Sequence, residues 1–163
     1  MKRSLLTACA ALALFGVCHA AETEWKHEKA PSINGVAIGS ALKEVESKLG
    51  KPPKKMDFVS EIMGPYQELL YPGLKIGVYK SNEQAGESVW EIEVSSGSWS
   101  IYPGVKIGMT REAVIDVLGP PSSEESEGGR LRIWWPHPLK EVGFRIDFIN
   151  GNAIRLWMGE DWS

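Results

Sequence analysis

Cysteine is scarce in this 163-residue chain, and both residues, Cys9 and Cys18, fall within the first twenty positions. That stretch begins with Lys2 and Arg3, continues as an apolar run from Leu5 to Val17 broken by Thr7, and ends in Cys18-His19-Ala20. This is the layout of a Gram-negative-type secretion signal cut after Ala20. The run is too short to cross a bilayer, which takes about 20 apolar residues. No later apolar stretch approaches that length, so a transmembrane segment is not expected. Lipidation at Cys18 competes with simple release, but it asks for a small residue where Val17 stands, which disfavours a lipid anchor. Removing 20 residues from 163 leaves 143 without a thiol, destined for the periplasm or the medium, where disulfides are permitted. Disulfides and thiolate chemistry are thus excluded, and core packing alone must hold the fold.

Positive charge and histidine are also in short supply. The net charge of −3 becomes −5 once Lys2 and Arg3 leave with the signal. A nucleic-acid partner, which demands a basic face, is excluded on that ground. Only His27 and His137 remain in the mature chain. Metal ligation needs three or four convergent donors, so no metal is expected. No nucleophile elbow, zinc-protease motif, phosphate-cradling glycine loop or calcium loop is present, and no cofactor is implied. His137, between Pro136 and Pro138, reads as a turn residue. An enzyme would have to work through carboxylates such as Asp116, Asp147 and Glu91, and a non-enzyme is the reading adopted.

What the chain does contain is a self-match at a spacing of 69 residues. Gly35-Val36-Ala37-Ile38-Gly39 recurs as Gly104-Val105-Lys106-Ile107-Gly108, Val45 as Val114, Leu49-Gly50 as Leu118-Gly119, and Pro52 as Pro121. Each copy reads as one short helix. In the second, Thr110 is the N-cap, and Ala113, Val114, Val117 and Leu118 form the apolar stripe. Gly119 then supplies the left-handed end, and Pro120-Pro121 forbids continuation. In the first, Leu42, Val45 and Leu49 carry the stripe. Ala41 stands opposite Thr110, so Ser40 is expected to cap one position early.

Three strands are expected after each helix. In the first copy these are Tyr66 to Tyr71, Leu74 to Tyr79 and Trp90 to Val94. In the second they are Leu131 to Trp135, Phe144 to Phe148 and Ile154 to Met158, with Asn150-Gly151 as a type I′ hairpin turn. Their two-residue alternation implies one covered face and one open face. The class is therefore α+β, with two tandem helix-plus-three-strand repeats forming an antiparallel sheet and helices packed on one face. The organisation reads as signal peptide 1–20, flexible lead-in 21–32, repeat one 33–99 and repeat two 100–163. Since units of ~60 residues are marginal alone, the repeats are expected to pack as one domain. Ser122 to Gly129 reads as a mobile loop, and Asp57 to Gly64 as its counterpart.

The pattern Gly-x-x-Ile-Gly, helix, Leu-Gly-x-Pro and strands is clearest in Ile107-Gly108-Met109-Thr110 and Leu118-Gly119-Pro120-Pro121. Over residues 34 to 158 it resembles the SmpA/OmlA (BamE-type) small lipoproteins and the tandem-repeat β-lactamase inhibitor proteins. The resemblance implies protein binding through the open sheet face without catalysis. The chain departs from the first group in its poor lipidation signal and from the second in lacking disulfides.

Tryptophan points to the same face. Seven tryptophans are several times ordinary usage for a chain of this length. Trp90 and Trp135 share the phase of the core positions. Trp134 and Trp157 share the phase of Arg132, Arg145, Arg155 and Asp147, with Tyr79, Glu91 and Glu93 on the matching face of the first repeat. Trp, Tyr and Arg dominate interface hot spots. These nine residues are the expected contact set for another exported or envelope protein, either as an inhibitor or immunity-type protein or as an assembly accessory. The alternative is a small-molecule or glycan-binding module. Both outward tryptophans are expected to be replaceable by alanine with little change in thermal stability. Oligomeric state is not legible in the sequence.

Overall fold

The computed structural model describes residues 25–80, 86–139 and 141–160. The expected secretion signal, the start of the expected lead-in, part of the loop after Lys80, and Trp162 lie outside the described residues. One eight-stranded antiparallel sheet dominates, with two short helices. The first half contains α1 (Leu42–Leu49), β1 (Lys54–Ser60), β2 (Gly64–Tyr71), β3 (Leu74–Tyr79) and β4 (Val89–Val94). A two-residue pair, β5 (Ser100–Ile101) and β6 (Val105–Lys106), leads into the second. That half contains α2 (Arg111–Leu118), β7 (Ser123–Glu127), β8 (Arg130–Trp135), β9 (Val142–Ile149) and β10 (Asn152–Glu160). The strand order is β1-β2-β3-β4-β10-β9-β8-β7, so the last strands of the two halves meet at the centre.

Both helices cover the same side. Val45 of α1 and Val114 and Leu118 of α2 are buried in one cluster with Leu69, Ile76, Ile92, Ile133, Ile146 and Leu156. The two halves also make matching joints. Gly39 N–H donates to the Val89 carbonyl (2.7 Å) and Gly108 N–H to that of Ala153 (2.8 Å). Tyr71 Oη donates to the carbonyl of Gly50 (2.8 Å), and Trp135 Nε1 to that of Gly119 (2.9 Å). Gly39 and Gly108 both have positive φ, 86° and 90°, which accounts for glycine at the end of each Ile-Gly pair.

Several expectations are corrected. Each half has four strands rather than three: β1 and β7 occupy the segments read as loops. All five residues of β7 are exposed, so no apolar alternation marked it. Residues 25 to 32 are not a loose lead-in, because Trp25 packs edge-on against buried Phe144 at 6.1 Å. Helix α1 starts after Ala41 with no side-chain cap, and Ser40 Oγ instead accepts from Ala37 N–H. Strand β10 spans Asn152–Glu160, longer at both ends than the expected Ile154 to Met158.

Helix α2 has the cap that α1 lacks, since Thr110 Oγ1 accepts from Ala113 N–H at 3.2 Å. Thr110→Ala should therefore cost about 1 kcal/mol, whereas Ala41→Thr should stabilise by a comparable amount. Thermal unfolding of the two variants checks the pair, and equal shifts of the same sign would contradict it.

Two β-bulges break the strict alternation. One falls in β4, where Val89 pairs with Val78 and Glu91 with Gly77, leaving Trp90 as the extra residue. The other falls in β10, where Ala153 pairs with Phe148 and Arg155 with Asp147, leaving Ile154 as the extra residue. A bulge adds one residue and re-aims side chains. Trp90 is accordingly buried yet absent from the core cluster beneath the helices.

Candidate protein-binding face

The helix-free side of the sheet collects the polar and aromatic phase of every strand. At one level across the sheet stand Lys75 of β3, Glu93 of β4, Trp157 of β10, Arg145 of β9 and Trp134 of β8. The next level is Gly77, Glu91, Gly159 and Gly143. This glycine-rich row is a trough in the sheet surface, and two indoles lie in it. A Cβ on Gly77 would come within 2.8 Å of the Trp90 ring. One on Gly159 would come within 2.6 Å of the Trp157 ring, and one on Gly143 within 2.9 Å. Glycine is needed here for close approach of the rings, not for turn geometry.

Trp157 is fixed at its edge and over its ring. Its Nε1 donates to Glu91 Oε1 at 2.9 Å, and the Arg145 guanidinium carbon lies 5.1 Å from the ring centroid. Glu91, 8% exposed, places its second oxygen 3.1 Å from Lys75 Nζ. Lys75 also faces Glu93 at 3.4 Å and Glu68 at 3.8 Å. Burial by itself would lower the Lys75 pKa, but Glu91, Glu93 and Glu68 together hold it above the usual lysine value. Glu93 accepts from Arg155 Nη2 at 2.6 Å. Burial opposes its ionisation, yet Arg155 and Lys75 hold its carboxyl below the usual range. These contacts bridge β3, β4 and β10, and so join the two halves.

On the second half, Asp147 is 1% exposed and lies 3.1 Å from Arg145 Nε and 3.9 Å from an Arg130 nitrogen. Arg132 faces Glu125 and Glu127 of the edge strand at 3.6 and 3.2 Å. Trp134 is half-buried, in register with Arg145 on one side and Ser123 on the other. The structure therefore brings Trp134, Trp157, Arg132, Arg145, Arg155, Asp147, Glu91 and Glu93 onto one surface. Tyr79 shares the face but belongs to a different group.

That second group is aromatic and was not foreseen. Phe58 stacks on Tyr66 at 5.2 Å, while Tyr66 and Tyr79 approach Trp90 at 5.9 and 5.8 Å. Tyr79 Oη donates to Glu160 Oε2 at 2.6 Å, and burial together with that carboxylate raises its pKa. Phe58 escaped notice because β1 did, and Trp90 because the bulge reversed its side. The seating of Trp157 over Gly143 of the neighbouring strand has no local signal.

The residues weighed for catalysis do not converge. Asp116 is exposed on α2, on the opposite side of the sheet from Asp147 and Glu91. Among the described residues no group of three or more His, Cys, Asp or Glu side chains could hold a metal ion. His27 packs edge-on against Trp25 and Tyr102. His137 is 8% exposed, and its Nδ1 accepts from Leu139 N–H at 3.0 Å. No helix of the described residues is long and apolar enough to cross a membrane.

These features define an open antiparallel α+β sheet with a pre-packed aromatic and charged face. No protein-family model matches the sequence, and no curated protein sequence matches it. Among solved structures, the chain is similar in fold to an extracellular SCP-domain protein from Bacillus anthracis. The TM-score is 0.52 at 15% identity over 83% of this chain, which spans 50% of that protein's length. Weaker likenesses reach a DUF4309-family protein, YjgB, from Bacillus subtilis (TM-score 0.44, 13% identity, 78% of this chain and 83% of that one). They also reach a Streptococcus mutans protein provisionally named a beta-lactamase inhibitor protein (TM-score 0.30, 17% identity, 74% and 82%). At these identities the likeness concerns the fold.

Proposed function

We propose that this is an exported, non-enzymatic protein that docks the helix-free face of its sheet on another exported or envelope protein. Export to the periplasm or the medium, with release after Ala20, is part of the reading. So is an origin of residues 33–99 and 100–163 as two copies of one unit. An inhibitor or immunity-type role and an assembly role both fit such a face. The observation that carries the proposal is the row of Lys75, Glu93, Trp157 and Arg145, held by an ion pair, a hydrogen bond to Glu91 and a cation–π contact, with Trp134 beside it. Large, rigid side chains already held in place lose little conformational freedom on binding. Binding of a glycan by ring stacking is less favoured. Trp90 is 9% exposed, and Trp157 is lined by glycine backbone and faced by Arg145.

Trp134 is the anchor that can be removed with least disturbance, because among the described residues no glycine cradle or hydrogen bond from its ring holds it. Trp134→Ala should weaken capture of the partner from an envelope extract by about thirtyfold, the equivalent of about 2 kcal/mol. The unfolding midpoint should shift by only about 2 °C or less. Undiminished capture by the folded variant would overturn the proposal.

A further inference from the structure

The two open edges of the sheet are guarded unequally. β7 is exposed throughout and carries Glu124, Glu125 and Glu127, so pairing with its own copy would crowd like charges. β1 has no such guard. It runs seven residues in unbroken register against β2, without proline, and presents Met56, Phe58 and Val59 among Lys54, Lys55 and Asp57. Val59 is 84% exposed, and Ile62 in the following turn is 83% exposed. Ser60 Oγ accepts from the N–H groups of Ile62 and Met63, both at 3.2 Å, which holds that end of the strand in place. A long, regular edge strand offers its outer N–H and C=O groups as a template for another strand.

We propose that β1 pairs antiparallel with β1 of a second copy, across a two-fold axis centred on Met56. The sequence of the strand is self-complementary in that register. Met56 faces Met56 of the second copy, Lys55 faces its Asp57, and Lys54 faces its Phe58, the last two contacts each made twice. Lys55 and Asp57 share the helix side, opposite Leu69 and Gln67 of β2, while Lys54, Met56 and Phe58 share the other. Opposite charges across a strand pair and a cation near an aromatic ring are both favourable. Centring one residue earlier sets Lys55 against Lys55, and one residue later sets Asp57 against Asp57. Within one copy Lys55 pairs with Glu46 and Lys80 with Asp57, but these are solvent-facing pairs of little worth.

A two-fold axis normal to the sheet keeps all four helices of the pair on one side. The two helix-free faces then lie side by side and point the same way, so the dimer can engage a partner at two points. The proposal stands independently of what that face binds.

Sedimentation equilibrium of the mature chain, from micromolar to millimolar concentration, tests it. The wild type should dimerise. Lys55→Asp and Asp57→Lys should each weaken dimerisation by about tenfold or more, because each creates two like-charge pairs. The double variant Lys55→Asp/Asp57→Lys restores complementarity and should recover the wild-type constant, with circular dichroism confirming the fold of all three. Trp134→Ala should dimerise like the wild type. A wild type that stays monomeric overturns the proposal, as does a double variant no better than the single ones. Species that grow beyond the dimer also overturn it, because they would mean that β1 joins β7 head to tail.

Discussion

Trp157→Ala should destabilise the protein by about 3 kcal/mol, in contrast to Trp134→Ala at the same level of the sheet. The sequence treats the two rings alike, since both fall in the arginine phase of their strands. The structure separates them. Removing the Trp157 ring uncovers the trough over Gly143 and Gly159, and it takes the indole N–H from Glu91, whose side chain is 8% exposed. A buried carboxylate stripped of a donor is more costly than the lost contact area alone. The expectation of little loss of stability is therefore kept for Trp134 and replaced by a large loss for Trp157. Gly159→Val tests the same feature from beneath. Its Cβ would stand 2.6 Å from the ring, so it should displace Trp157 and cost about 1–3 kcal/mol. Urea unfolding of the three variants checks this. Equal midpoints for Trp157→Ala and Trp134→Ala would show that the trough contributes nothing.

Acid should weaken the fold through His137. Burial lowers the pKa of His137 from 6.5 to about 4, although the Leu139 carbonyl, 3.3 Å from Nδ1, acts the other way. Between those two values the unfolded chain binds a proton that the folded chain refuses. The stability due to neutral His137 is thus complete above pH 6.5, is lost as pH falls toward 4, and changes little below that. Each pKa unit corresponds to about 1.4 kcal/mol, so the full loss is on the order of 3 kcal/mol. His137→Asn keeps an acceptor for the Leu139 N–H and cannot take up a proton. Its unfolding free energy should be flatter between pH 6.5 and 4 than that of the wild type. Parallel pH profiles for the two proteins would show that His137 is protonated without penalty.

Six of the eight main strands were legible, because each alternates apolar and polar residues or sits beside a strong turn. Asn150-Gly151 is an example, with φ of 51° and 75° at the two positions, as a type I′ turn requires. β7 was not legible, because an edge strand of Ser and Glu has no buried phase. β1 was not, because its charged start and the exposed Val59 beside Phe58 break the apolar–polar alternation. Trp134 and Trp157 stand away from the helices, on the side that their phase implied for the proposed contact set. Its aromatic extension through Phe58, Tyr66 and Trp90 was missed.

By itself the sequence determined what is local. Helix ends follow from Thr110, Gly50 and Gly119, and strand phases from alternation. Only the tertiary structure decided which residues meet. The bulges at Trp90 and Ile154, the seam between β4 and β10, and the seating of Trp157 over Gly143 and Gly159 all depend on cross-strand register. Register couples residues far apart in the chain through backbone hydrogen bonds, and a one-residue slip sends a side chain to the other face.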